Sequence, residues 1–329
     1  MLNTVLLISN SRDIHADAIA NRLAVRDVAS VRLNVDAYPA EEVWTLERQR
    51  NSKSTRISRQ VPAESIDFSE VTSVLLRRPA SFGLDSSLSP EIAAFVADES
   101  KASLIGLWDA LADKRWISPY TFIRDAENKL RQLRIAASIG FKTPRTIVTN
   151  NPKDAAAFCA EVSEVITKAI HRGAIQRGSQ VSIMRTSVVN TSHLTELQRV
   201  RHCPSLLQEY VPKAYELRIT VVGTLVFACR IDSQDSPETR VDWRNYAVQI
   251  PYSATDLPDT VKLRCVALVN HLGLHFGAID MVVTPDGDYV FLEINPAGQW
   301  LWIEERTGLR ITEALVDLLV DGHTGKRES

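Results

Sequence analysis

Two β-like runs near the C-terminus, Phe276–Val283 and Tyr289–Ile294, flank Pro285-Asp286-Gly287-Asp288, a strong hairpin signal. Taking Pro285–Asp288 as the loop and pairing outward sets Asp280 opposite Glu293. Directly opposite residues have Cβ atoms about 4.5–5.5 Å apart, so two like charges there destabilise the sheet unless something offsets them. Asn295 stands two residues beyond Glu293 and projects from the same face. Two carboxylates and an amide oxygen make a hard, all-oxygen donor set, suited to Mg²⁺ held together with substrate phosphates. Other readings stay open: Asp280 points outward, or the register slips by one residue and breaks the pair. A glycosidase-type acid/base pair would need a sugar-lined cleft, and nothing else in the sequence supports one.

A phosphate-bearing ligand needs cations, and the usual cradles are missing: there is no GxxxxGK[ST] loop and no strand-coupled GxGxxG. His323-Thr324-Gly325-Lys326 is a coincidence in a loose tail. Lys168 ends a buried-looking strand, an uncomfortable place for an unpaired ammonium, just before the Gly/Arg segment His171–Gly178. It reads as a phosphate contact or as an exposed strand end. Arg218 and Arg230 alternate with apolar neighbours in two successive strands. They read either as salt-bridge partners or as charges that neutralise a transferring phosphoryl group. Glu209 and Glu216 are candidates for ribose or adenine contacts, or simply surface charges.

The elements that must position these groups follow from periodicity and punctuation. The chain has 329 residues, 45% of them hydrophobic, enough for a sizeable core without staples. Val5–Ser9, Val31–Val35 and Val71–Leu76 read as strands of a small parallel α/β domain, with helices over Asp13–Ala24 and Glu91–Asp113. The basic segment Thr45–Gln60, with Arg48, Arg50, Lys53, Arg56 and Arg59, reads as a solvated loop or edge hairpin, or else as an anionic-partner patch. Asp125 is a candidate cap for a helix with Leu130, Leu133 and Ala137 on its apolar face, ended by Gly140. Thr146–Val148 and Val165–Lys168 are strands around a Pro152–Val162 helix, and Ser182–Arg185 resumes the sheet. The last third is strand-rich: Leu206–Val211, Glu216–Val222 and Leu225–Ile231, then an Asp259–Leu272 helix, the carboxylate hairpin and an Ile311–Val320 helix. The expected domains are 1–118, 119–205 and 206–329.

Charge and cysteine content exclude several classes. Lys+Arg 38 against Asp+Glu 40 gives −2, which argues against a nucleic-acid partner. No stretch approaches the roughly 20 apolar residues of a membrane span, so no membrane partner is expected. Four cysteines without a CxxC pair, behind an N-terminus that lacks a signal-peptide pattern, suit a reduced, cytoplasmic setting.

Taken in order, several segments resemble the ATP-grasp ligases. They are Asn128-Lys129; Gly140–Thr146; Lys168; Gln208-Glu209-Tyr210-Val211; Glu216-Leu217-Arg218; Gly277–Asp280; and Phe291–Pro296. Val74–Pro79, Trp116–Pro119 and Asn295–Glu304 are similar, more narrowly, to graspetide (microviridin-type, omega-ester peptide) macrocyclases. Those segments also resemble ligases that glutamylate ribosomal proteins, but the Gly298–Trp302 extension fits the macrocyclases better. The resemblance implies an α/β and α+β fold: an N-terminal parallel α/β domain, a central domain and a C-terminal antiparallel-sheet lobe clasping ATP. It implies that Lys129 and Lys168 contact the nucleotide, that Gln208, Glu209, Tyr210 and Val211 form the adenine hinge, and that Glu216 reaches the ribose. It further implies that Asp280, Glu293 and Asn295 hold Mg²⁺, that Arg218 and Arg230 stabilise an acyl-phosphate reaction, and that Arg78, with Arg77, receives the substrate carboxylate. The implied partner is a precursor peptide with a leader segment, whose Asp or Glu side chains are joined to Ser/Thr hydroxyls or Lys amines; a homodimer is left open. An amino-acid-adding ligase and a non-catalytic nucleotide- or peptide-binding module are the rival readings.

Overall fold

The computed structural model describes residues 4–48, 55–60, 63–79, 82–171, 173–177, 180–244 and 248–322. Arg50, Lys53, Gly178 and the tail from His323 onward lie outside the described residues.

The N-terminal sheet is parallel throughout, in the order Ser30–Asn34, Thr4–Ser9, Val71–Leu76, Arg115–Ile117. Thr4–Ser9 is buried at every position, as an apolar run covered on both faces should be. Within the basic segment Trp44–Arg48 pairs antiparallel with Thr55–Gln60, the hairpin of the expected alternatives, and Thr55–Gln60 pairs in turn with Ala63–Asp67 to complete a meander. Ile57 and Ile66 point from it into the core.

The next helix is split. Tyr120–Ala126 stops and Lys129–Ser138 starts afresh, capped by Asn128, whose Oδ1 accepts the Arg131 N–H at 3.0 Å. Asp125 is therefore not the cap, and the apolar face is rotated from the expected one. Leu130 and Ala137 are exposed, while Gln132, Leu133, Ile135 and Ala136 are buried. The reason is polar: the Gln132 amide donates to Ile294 O at 2.8 Å and accepts from Ile294 N at 3.0 Å, pulling that face onto the last sheet strand.

The central sheet runs Ser187–Val188, Val165–Lys168, Ser205–Glu209, Thr146–Thr149, antiparallel between neighbours. Ser205–Glu209 thus pairs inside this sheet, and a boundary at 205/206 would cut it. Gln180–Ile183 does not resume that sheet but pairs with Ala174–Arg177 as a separate hairpin.

The C-terminal sheet has five antiparallel strands, Tyr252–Thr255, Leu225–Ile231, Tyr215–Val222, Phe276–Val283 and Tyr289–Asn295. The first two hairpin strands of the group turn at Gly223, φ 58°. Across the Asp259–His271 helix, Val261, Cys265, Leu268 and Leu272 are all buried, as their spacing predicts.

The N-terminal and C-terminal units share their hydrophobic core. One cluster joins Leu6, Ile8 and Val74 to Leu217, Ile279 and Phe291. Another joins Val5, Leu7 and Leu23 to Phe276, Trp300, Leu315 and Leu319. The final helix, Ile311–Asp321, therefore packs on the first, Ile14–Val25, and Arg26 pairs with Asp317 at 2.7 Å and also with Glu313. Among the described residues, no helix is long and apolar enough to cross a membrane.

Ser118 marks the junction. It is 1% exposed, has φ +63°, and its Oγ accepts the N–H groups of His275 and Phe276 at 3.2 and 3.3 Å. Ser118→Ala removes that acceptor from a buried seam and is expected to cost about 1–3 kcal/mol. The urea midpoint measures this, and an unchanged midpoint would exclude it.

Candidate functional site

Asp280 does pair with Glu293, but by a different route from the symmetric one. Next to the turn the pairing is Val283↔Tyr289 and Met281↔Phe291, one residue off the symmetric register, because Thr284 joins the loop. Leu292 is then an extra residue on its strand, and this bulge restores the Asp280↔Glu293 pair. On the neighbouring strand Arg218 faces Asp280, and Glu216, two residues away, shares that face. Arg230 faces Leu217, so it lies on the opposite face of the sheet. There it pairs with Asp232 at 2.7 Å and lies over the Tyr215 ring at 4.0 Å. The expectation that Arg230 works beside Arg218 is corrected by this parity.

Four cations converge on the two carboxylates. Arg218 Nη1 donates to Asp280 Oδ1 at 2.8 Å. Arg244 Nη2 reaches Asp280 Oδ2 at 2.9 Å and Glu293 Oε1 at 3.1 Å. Lys129 Nζ bonds to Glu293 Oε2 at 2.5 Å, and Lys168 Nζ lies 3.9 Å from the same oxygen. Burial would raise the Glu293 pKa, but Lys168, Lys129 and Arg244 outweigh it and hold the carboxyl below its ordinary range. Burial lowers the Lys168 pKa, with Glu293 opposing and Lys129 and Arg244 reinforcing the shift. Burial also works against the charge on Arg244, yet Asp280, Glu293 and Asp242 together raise its pKa. Asn295 is half-buried on the Glu293 face, its Oδ1 accepting the Ala297 N–H at 3.0 Å.

The sequence reading missed Arg244 and Gln132. Asp242-Trp243-Arg244 lies in irregular chain between strands, where no periodicity marks a residue. Gln132 sits among helix formers, off the expected apolar face, and its burial comes from the bonds to the Ile294 backbone, for which the sequence carries no local signal.

These groups line a cleft of about 1210 Å³ that also takes in Gln208, Glu209, Tyr210, Val211 and Glu216. Gln208 is buried: its Nε2 donates to Thr146 Oγ1 at 2.8 Å, while its Oε1 has no partner among the described residues. Glu209 is exposed and accepts the Arg145 N–H at 3.1 Å. Glu216 is buried against Lys213 Nζ at 2.8 Å; burial raises its pKa and Lys213 partly offsets that. Arg78 is exposed on the cleft, with φ 37°, whereas Arg77 is buried against Asp13. The two neighbours therefore do different things, and Arg77 is not available to receive a substrate.

Among the described residues no group of three or more His, Cys, Asp or Glu side chains is placed to hold a metal ion by itself. The donor set is two carboxylates plus the Asn295 amide, which suits a hard cation. The orphaned Gln208 Oε1 and the cations along the cleft suit a nucleotide and its phosphates.

Residues 126–319 match the RimK-like ATP-grasp domain model, and residues 4–124 match the MvdD pre-ATP grasp domain model. The chain belongs to the RimK-like ATP-grasp family: it is an ATP-grasp ligase, an enzyme class whose cofactors are ATP and Mg²⁺. It is similar over 98% of its length to a Chryseobacterium gregarium RiPP-associated ATP-grasp ligase in complex with ADP and a leader and core peptide (31% identity, 97% of that chain, TM-score 0.89). Macrocyclase MdnC from Microcystis aeruginosa, bound with precursor peptide MdnA, matches at 29% identity over 97% of this chain and 99% of its own, TM-score 0.86. Human N-acetylaspartylglutamate synthase A is 26% identical over 160 residues, which is 46% of this chain and 39% of the human protein.

The electrostatics predict a pH dependence. The folded Glu293 pKa lies below its ordinary 4.5, so its contribution to stability is complete above that value and fades as pH falls toward the folded one. Glu293→Gln is expected to lose less unfolding free energy than the parent between about pH 5 and pH 3. Urea midpoints at each pH measure this, and equal acid slopes would contradict it.

Proposed function

We propose that this ligase activates Asp or Glu side-chain carboxylates of a ribosomally made precursor peptide and joins them to Ser/Thr hydroxyls or Lys amines of the same peptide, forming ester or amide cross-links. The observation that carries the reading is a single cleft in which the Asp280/Glu293 pair and its four cations meet a second, separate set of cations. Arg12, Arg78 and Lys101 line the N-terminal side of that cleft, exposed and with no carboxylate partner among the described residues. A peptide carrying carboxylates is a fitting occupant of that side. Likeness over nearly the whole chain to relatives described with bound precursor peptides supports the same substrate class.

Within this reading Asp280, Glu293 and Asn295 would hold Mg²⁺, Lys129 and Lys168 the phosphates, Gln208 to Val211 the base, and Glu216 the ribose. Bound ATP with Mg²⁺ would supply the γ-phosphoryl group, so that the carboxylate becomes an acyl phosphate as ADP leaves, and attack on its carbon by a hydroxyl or amine would expel inorganic phosphate. Arg218, fixed by Asp280, presents guanidinium N–H groups to charge developing in the cleft. Arg78 receives the substrate carboxylate, for which a planar guanidinium is the suitable group. Arg244, now bonded to Asp280 and Glu293, would give up one or both of these carboxylates to a bound metal. The facing lobes keep water from the activated carboxyl. The precursor's leader segment, a cytoplasmic setting and the option of a homodimer belong to the same proposal.

The likeness to human N-acetylaspartylglutamate synthase A favours a second reading, addition of an amino acid to a protein or small molecule. Intact mass separates the two. With ATP and Mg²⁺ the cognate peptide is expected to lose one water per bond formed, whereas addition raises the mass. Absence of ADP release with any carboxylate-bearing peptide would refute the macrocyclase reading. Glu293→Gln is expected to lower turnover by about 100-fold or more, while Arg230→Ala, on the far face, stays within about three-fold of the parent.

A further inference from the structure

Arg77 is 2% exposed and belongs to the N-terminal domain, yet it reaches the loop that follows Glu293. Its Nε donates to Asp13 Oδ2 at 2.9 Å, and its Nη1 donates to the Gly298 carbonyl at 2.8 Å. Its guanidinium lies over the Trp300 ring at 4.5 Å, on which His15 also packs edge-on at 4.5 Å. Asp13 is itself fixed, because Ser9 Oγ lies 2.6 Å from Oδ2 and the His15 N–H bonds Oδ1 at 3.1 Å. The anchor is therefore rigid on the N-terminal side.

On the other side Gly298 has no slack. A Cβ there would meet Ala278 Cβ at 2.3 Å and Arg218 Nη2 at 2.8 Å, so its backbone is the wall against which Arg218 rests. The Gly298 N–H bonds the Asn295 carbonyl at 3.2 Å, and the Ala297 N–H bonds the Asn295 side chain at 3.0 Å. Trp300 is pinned from beyond by Nε1 to Thr312 Oγ1 at 2.9 Å. The Asn295–Trp300 loop is thus gripped in its middle by one side chain from another domain.

We propose that Arg77 is a positioning residue: by holding the Gly298 carbonyl it sets the Asn295–Trp300 loop, and through it the placement of Asn295 and Arg218 toward metal and phosphate. This rests on the ligase reading above, but not on the identity of the peptide. Support groups behind metal-facing residues typically change metal affinity or activity by about 10–100-fold when altered. A lysine keeps the charge for Asp13 but lacks the planar fork that reaches Asp13, Gly298 and the Trp300 face together.

The test is Arg77→Lys in the full chain, with Mn²⁺ binding in the presence of ADP followed by electron paramagnetic resonance, beside steady-state kinetics and a thermal melt. Mn²⁺ affinity and kcat are each expected to fall about ten-fold or more, with the KM for ATP within about three-fold and the variant cooperatively folded. Unchanged Mn²⁺ affinity and kcat would overturn the inference, as would a loss confined to thermal stability. If Arg77→Lys does not fold, Asp13→Asn is measured in its place. It leaves Arg77 charged but loosens its anchor, and a weaker loss of Mn²⁺ affinity is expected; no loss overturns the inference. Failure of the macrocyclase reading alone shows differently: no peptide stimulates ADP release from the parent, while the Mn²⁺ difference persists.

Discussion

Two carboxylates held opposite one another on adjacent strands set the terms for the rest of this molecule. At roughly 5 Å and an effective dielectric near 20, their repulsion is of order 3 kcal/mol. The sheet alone cannot absorb that, since its own strands place them together through an added bulge at Leu292. The offset comes from four cations, each delivered by a different element: Arg218 from the adjacent strand, Lys129 from a helix, Lys168 from the central sheet and Arg244 from irregular chain. Because these belong to different lobes, the charge requirement of one hairpin ties the central and C-terminal units together. Cations outnumber carboxylates, which leaves a positive excess for an anionic ligand to satisfy.

This balance also explains how such a cleft accepts both a metal and a polyphosphate. On the proposed assignment, Asp280 and Glu293 would turn from Lys129, Lys168 and Arg244 to a divalent cation, leaving those three cations for phosphate oxygens. Each newcomer frees partners for the other, so binding is expected to be mutual rather than independent. Arg218 is the exception. Its Nη1 contact to Asp280 and the Gly298 backbone behind it fix it on both sides, which suits a group that must meet developing charge without rearranging.

Much of this was legible from residue types and spacing, and where legibility stopped has physical causes. The carboxylate pair followed from a turn signal and the two-residue period, although the turn is one residue longer than assumed at Thr284 and the bulge at Leu292 compensates. Neither has a reliable local signature. Arg218 and Arg230 look alike in sequence, and only the strand register separates their faces. Arg244 was invisible because its position depends on tertiary closure rather than local periodicity. The helix around Gln132 turned by an offset because one buried amide paired with the Ile294 backbone, a long-range bond that an apolar pattern cannot report. The adjacent arginines at 77 and 78 carried no mark of which would be buried.

That last pair bears on what the N-terminal domain is for. A detachable substrate-binding appendage would need its own core and a polar seam with the catalytic lobes. Instead, strand residues such as Val5 and Leu7 share a cluster with Trp300 and the final helix, and a charged Arg77 is buried across the seam. Burying a guanidinium is costly, and it is offset here only in part, by Asp13, a backbone carbonyl and an aromatic face, while Nη2 has no partner among the described residues. An apolar residue could fill that volume without the cost of desolvating a charge, but it could not hold the Gly298 carbonyl. The buried charge is what the proposed placement of the Asn295–Trp300 loop would call for, and the first domain shares its core with the lobe whose cleft the neighbouring Arg78 lines.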